Sequence, residues 1–207
     1  MLILAGLVMG AEAIALWRHE SNATPPPIVQ VLSPGEVQAP APIAKPSRQQ
    51  VESYRVAPTL PRYISIPKLG IEKVRVLALG VLSDGHIATP GSSYDTGWYD
   101  KSAKPGQPGA MFIDGHVAGW GTGGIFYSLH TLRPGDKITI IRGDSKAYVY
   151  AVVSQKTYPA DNVDMNAVLS PINPGKPGLN LMTCTWDVVG GKSVFKNRTV
   201  VFASLES

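Results

Sequence analysis

Internal disulfides are excluded from this chain, because its 207 residues contain a single cysteine, Cys184. A structural zinc site is disfavoured as well, since no Cys/His cluster carries metal-ligand spacing. Charge is scarce. Charged residues make up 16% of the chain and the net charge is +4, with no basic cluster interleaved with aromatics, which argues against nucleic acid as a partner. Long amphipathic helical patterns are also missing. With 44% hydrophobic residues the chain is neither disordered throughout nor a coiled coil, and one folded domain is expected.

The longest apolar run opens the chain. Residues 1–17 are apolar apart from Glu12 and would span roughly 25 Å as a helix, just short of a bilayer's hydrocarbon core. With no basic n-region and no small-x-small cleavage site after it, the run is expected to be a signal anchor ending at Trp17-Arg18-His19; a cleaved signal peptide and a buried helix are the alternatives. Residues 18–60 carry eight of the 18 prolines, including Pro25-Pro26-Pro27, and predict an extended, semi-rigid spacer. The arrangement implies a single-pass membrane protein whose domain, residues 61–207, is held away from the membrane.

From Pro61 the pattern turns to short strands. Ile64-Ser65-Ile66, Val74-Arg75-Val76-Leu77 and Ala110-Met111-Phe112-Ile113 alternate or run apolar. The runs at 137–141 and 147–153 flank Arg142-Gly143-Asp144-Ser145 and predict a hairpin. Two further runs, 179–184 and 194–203, complete a mainly β chain punctuated by Gly, Pro, Asn and Asp. Many short strands without a long helix predict a closed or nearly closed β-barrel.

Cys184 ends the apolar run Leu179-Asn180-Leu181-Met182-Thr183-Cys184. A lone cysteine on an apolar strand is either inert packing or a reactive thiol, and a thiol reacts as thiolate, a form that a nearby imidazole or guanidinium favours. His116 lies in Asp114-Gly115-His116-Val117, where glycine lets the backbone turn at a strand end. Arg198 falls on the same strand face as Val200 and Phe202, an expensive position for a guanidinium unless it has a partner or a task. The Gly190-Gly191 turn region lets the last strand return beside Cys184, so Cys184 and Arg198 are expected to be cross-strand neighbours. His19 and His86 read as surface residues. His130 competes with His116 for a place near the thiol.

Taken in order, Ile66-Pro67-Lys68-Leu69-Gly70-Ile71, Gly97-Trp98-Tyr99, Pro108-Gly109-Ala110-Met111-Phe112-Ile113-Asp114-Gly115-His116-Val117, Leu132-Arg133-Pro134-Gly135-Asp136, Leu181-Met182-Thr183-Cys184 and Asn197-Arg198 resemble the sortases. The Gly-Trp-Tyr and Pro-Gly-Ala pieces are most similar to the branches called class E and class F, class F before class E. One position departs: the family's Thr-Leu-x-Thr-Cys begins here with Asn180.

The resemblance implies an eight-stranded sortase-type barrel with short helices, and a membrane-anchored cysteine transpeptidase at a Gram-positive surface. It implies Cys184 as nucleophile on a Leu-Pro-x-Thr-Gly sorting signal, His116 as general acid and base, and Arg198 as oxyanion or substrate stabiliser. The acyl group would pass from Cys184 to an amine of a peptidoglycan precursor or pilin. Thr183 and Asn180 would lie close to the substrate, and residues 157–178 would shape its pocket, with Val163, Met165, Ala167, Val168, Leu169 and Ile172 as apolar wall residues. No cofactor and no metal are implied. A sortase-like hydrolase and a non-catalytic surface barrel remain as alternative readings. Cell-wall cysteine peptidases and L,D-transpeptidases place Cys before His or carry Ser-His-Gly-Cys, unlike this chain.

Overall fold

The computed structural model describes residues 45–118, 123–189 and 192–206. The expected anchor at 1–17 and most of the expected 18–60 spacer lie outside them. Among the described residues no helix is long and apolar enough to cross a membrane.

Eight strands close into a barrel: β1 (Pro61–Ile66), β2 (Ile71–Leu79), β3 (Thr96–Tyr99), β4 (Ala110–Gly115), β5 (Lys137–Arg142), β6 (Ala147–Pro159), β7 (Gly178–Val189) and β8 (Lys192–Leu205). Around the barrel they run β1-β2-β3-β4-β7-β8-β6-β5. Closure leaves no unpaired edge. Neighbours are antiparallel except β2/β3 and β4/β7, which are parallel and need long crossovers. The expected hairpin is β5/β6, with Ser145 at φ 68° in its turn and the Arg142 guanidinium on the Asp144 carboxylate. Arg142-Gly143-Asp144 is thus a turn.

Alternation along each strand separates two apolar clusters. Met111 and Ile113 of β4, Leu179 and Leu181 of β7, and Val201 and Ala203 of β8 point into the barrel with Ile64, Ile66, Ile138, Ile140 and Tyr150. Phe112, Met182, Val200 and Phe202 point outward and pack with Tyr158 beneath α2 (Met165–Val168). β4 is buried along its whole length, which explains why it reads as a continuous apolar run instead of an alternating one. Each large side chain sealed in this way contributes roughly 1.5–3 kcal/mol.

The last part of the expected spacer is not extended. α1 (Arg48–Ser53) forms there, started by a capping box in which Ser47 accepts from Gln50 N while the Gln50 side chain accepts from Ser47 N. An Arg48–Glu52 pair one turn apart adds to it. The helix is held to the barrel by Tyr63, whose hydroxyl donates to Val51 O, and by Tyr54, whose hydroxyl donates to Val76 O at 2.7 Å. Arg75 lies over the Tyr54 ring and makes a two-point ion pair with Asp95. Proline spacing alone hid this capped turn.

Candidate active site

The β7/β8 ladder sets Cys184 directly opposite Arg198. By strand alternation both follow Met182 and Val200 onto the outer face, and both are half-buried. The Arg198 guanidinium donates through Nη1 to Asn197 O at 3.1 Å and Phe195 O at 3.4 Å. Among the described residues no carboxylate pairs with it.

β4 supplies the third group. Its parallel ladder with β7 pairs Asp114 with Met182, and Thr183 Oγ1 donates to Gly115 O at 2.7 Å, so the next step along both strands brings His116 level with Cys184. The chain then folds back: Phe126 N donates to His116 O at 2.9 Å and Gly124 N to Val117 O at 3.0 Å. Gly124 passes so close that a Cβ there would collide with the His116 carbonyl. The imidazole is held by the crossover between β2 and β3, through a 2.6 Å contact of Nε2 with Pro90 O. A carbonyl oxygen only accepts, so Nε2 carries a proton and Nδ1 is the nitrogen that gains or loses one.

Beneath His116 on the same face lies Asp114, 7% exposed, whose carboxyl burial pushes up to about 7. Gly97, its partner on β3, leaves room for it: a Cβ at 97 would stand 2.7 Å from Asp114 Oδ1 and 3.2 Å from Pro90 Cδ. Sequence reasoning missed both Asp114 and Pro90. The only available signal was the glycine of Gly97-Trp98-Tyr99, which marks a close approach without naming what approaches.

The expected substrate residues separate into two sets. Leu169 and Ile172 are each 37% exposed on the segment between β6 and β7, whereas Val168 is sealed in the outer cluster with Val163 and Met165 packed around it. Asn180 is also sealed. Its amide donates to Val168 O at 2.7 Å and Ser170 O at 2.9 Å, tying that segment to the sheet, while Oδ1 has no partner among the described residues. Thr183 is 5% exposed, points to the barrel side, and is bonded to Gly115. Asn180 thus lies on the outer face, sealed beneath the segment it holds, and Thr183 on the inner one.

On the barrel side of the ladder a cavity of about 280 Å³ reaches Cys184, lined by Val117, Tyr127, His130, Thr183, Thr185 and Thr199. The threonines at 185 and 199 share a hydroxyl–hydroxyl bond of 2.6 Å. Cys184 therefore borders this cavity, with the apolar cluster of Phe112, Val200 and Phe202 packed on the outer face of the same strands. Among the described residues no group of three His, Cys, Asp or Glu converges as a metal site would.

A thiol and a guanidinium paired across β7/β8, with an imidazole one residue past the end of β4, are the kinds of group that thiol-dependent acyl transfer uses. The sortase domain family model matches residues 64–206, and the chain belongs to the sortase family of cysteine transpeptidases. No curated protein matches it. Solved structures share its fold. The SrtA sortase from Actinomyces oris is 20% identical, with 83% of this chain and 88% of that one covered at a TM-score of 0.54. A lid mutant of sortase A from Corynebacterium diphtheriae is 23% identical over 77% of this chain and 76% of that one, at 0.55. Sortase C from Streptococcus pneumoniae is 19% identical over 73% and 71%, also at 0.55.

Proposed function

We propose that the protein cleaves a Leu-Pro-x-Thr-Gly-like sorting signal between Thr and Gly and transfers the upstream protein to an amine. The observation that carries this reading is the direct β7/β8 pairing of Cys184 with Arg198. Cys184, as thiolate, adds to the Thr carbonyl, and Arg198 donates to the oxygen as it gains charge. His116, protonated on both nitrogens, gives the Nδ1 proton to the leaving glycyl amine and becomes neutral while Nε2–H stays on Pro90 O. The thioester then meets an acceptor amine, whose proton returns to Nδ1 as the C–S bond breaks and the thiolate is restored. Leu169, Ile172 and the cluster under α2 supply the apolar wall for the Leu-Pro part, and Asn180 holds that wall in place.

The acceptor is an amine of a peptidoglycan precursor or a pilin; pilin substrate specificity is described for the structurally similar sortase C of Streptococcus pneumoniae. Residues 1–17 anchor the protein in the cell membrane with residues 61–207 outside. The test is incubation with a sorting-peptide library and mixed amines, read by mass spectrometry. Cleavage at Thr-Gly with a thioester on Cys184 is expected, and a thiol unlabelled by a small reagent in folded protein would overturn the reading.

A further inference from the structure

The positive charge of this chain is unevenly placed. Residues 45–75 hold seven lysines and arginines against two glutamates, a net charge of +5, whereas the whole chain carries only +4. No two of these basic residues are adjacent in sequence, so it is folding that gathers them. α1 and the β1/β2 hairpin do so. Val51 and Lys73 line two adjoining cavities, one of about 330 Å³ that also meets Arg62 and one of about 300 Å³ that also meets Lys45, while Lys68 sits on the turn that joins β1 to β2. Two of the seven are neutralised, Arg48 by Glu52 and Arg75 by Asp95. Among the described residues no carboxylate pairs with Lys45, Arg55, Arg62, Lys68 or Lys73, and all but the half-buried Arg62 are exposed. In the barrel order β1 and β2 stand four places from β7 and β8, so this face occupies the wall opposite the Cys184–Arg198 pair.

We propose that this face, with Lys45, Arg55, Arg62, Lys68 and Lys73 at its surface, rests on the anionic headgroups of a lipid bilayer. The docking depends on the membrane anchor proposed above and fixes which way the anchored domain faces. A lysine or arginine brought to an anionic leaflet gains roughly fivefold in affinity, and screening confines the attraction to about 10 Å. A handful of such groups binds weakly from solution. A tether changes the balance, because contact between the domain and the bilayer then becomes intramolecular and the effective lipid concentration is high. The described chain begins at Lys45 on the charged face itself, so the segment from the anchor joins the barrel where the charge is. The expected spacer would let the domain stand off from the bilayer, and this charge draws it back. The two cavities offer recesses in which a headgroup phosphate can meet Lys73 together with Arg62 or Lys45. Docked in this way, β7 and β8 turn away from the lipid and leave the thiol open to substrates from the other side.

The experiment reads the orientation of the full chain in vesicles that carry a nitroxide-headgroup lipid. The vesicles are phosphatidylcholine alone or an equimolar mixture of phosphatidylcholine and phosphatidylglycerol. One dye is attached through Gln49→Cys, exposed on α1, or through Asn166→Cys, exposed on α2 over the β7/β8 side, each in a Cys184→Ala background. In the mixed vesicles the dye at 49 should be quenched at least about threefold more than the dye at 166. The contrast should vanish in phosphatidylcholine, at high salt, and when Lys45→Gln, Lys68→Gln and Lys73→Asn are combined; the lipid and salt arms need no variant to fold. Equal quenching at the two positions in mixed vesicles, or a contrast that persists in phosphatidylcholine, would overturn the docking. Soluble polyphosphate that binds the parent and not the triple variant, with no contrast in vesicles, would assign the face to a phosphate polymer and overturn the membrane contact. Flotation with phosphatidylcholine vesicles tests the anchor separately: a chain that floats only with anionic vesicles would overturn the anchor and leave the charged face standing.

Discussion

The inside and the outside of the same three strands obey different rules. Inside, β4, β7 and β8 contribute Met111, Ile113, Leu179, Leu181, Val201 and Ala203 to a sealed apolar core. Outside, one residue away along each strand, the same backbone carries Asp114, Asn180, Cys184 and Arg198 among Phe112, Val200 and Phe202. The outer face holds a carboxyl shifted by burial and an amide oxygen without a partner among the described residues. Both costs fall on the outer face, on β7, which carries Cys184 opposite Arg198 of β8, and on its neighbour β4. The barrel interior fixes geometry, and the outer face uses that rigidity for chemistry.

The strongest way to break this division is to exchange its consequences. Cys184→Ala should abolish thioester formation, and His116→Ala or Arg198→Ala should lower sorting-peptide cleavage by roughly two to four orders of magnitude with the domain still folded. Ile113→Ala, one strand step from Asp114, should instead cost about 2–5 kcal/mol of stability. Peptide turnover and thermal unfolding measured on the same samples check both halves. Arg198→Ala as destabilising as Ile113→Ala, or fully active, would erase the distinction.

The inner face is more legible in the sequence than the outer. Alternation and apolar runs reveal β4, β7 and β8, and the Gly190-Gly191 turn region makes the Cys184–Arg198 pairing foreseeable. The four residues of β3, one of them Gly97, give no periodicity to read, and nothing local announces that β4 lies parallel to β7. Pro90 escapes because it acts through a main-chain carbonyl on a residue 26 positions away. Asn180 stands out beside a cysteine motif, yet its two bonds to Val168 and Ser170 depend on how the β6–β7 segment folds back. Along the chain His130 and His116 compete as though one place were available. The cavity that reaches Cys184 is lined in part by His130.

Asp114 sharpens the comparison through pH. In the unfolded chain its carboxyl titrates near 3.8, and in the folded protein burial carries it up to about 7. Between those values the native state keeps a proton that the unfolded state has lost, so stability falls as pH rises through this window and is level beyond it. The whole fall is on the order of 4 kcal/mol. Asp114→Asn removes the titration, and its unfolding temperature should exceed the parent's near pH 7.5 and approach it near pH 4.5. An identical pH slope in both proteins would assign the buried charge elsewhere.

A smaller effect is expected at the tether of the pocket wall. Asn180→Leu fills the same space without donors and leaves the Val168 and Ser170 carbonyls unpaired, at a cost of about 1–3 kcal/mol. The loss is local, so amides of residues 165–170 should exchange faster and peptide KM should rise about tenfold, with kcat little changed. A fall in kcat at constant KM would instead make Asn180 part of the chemistry at Cys184.

The smallest effect tests whether the docked segment before β1 belongs with the barrel's framework. The Tyr54 hydroxyl donates to Val76 O at 2.7 Å, and burial raises its pKa above the ordinary tyrosine value, as expected for a phenol held half out of water. Tyr54→Phe keeps the ring beneath Arg75 and against Tyr63 and removes one neutral hydrogen bond, worth about 1 kcal/mol. α1 has no buried residue of its own, so that loss should fall on its docking and leave the barrel intact. Amide exchange across residues 48–54 should accelerate while β4 and β7 stay protected and peptide turnover keeps the parental rate. Slower turnover with unchanged exchange would mean that this segment reaches the outer face, and the division between framework and chemistry would then have to be redrawn around it.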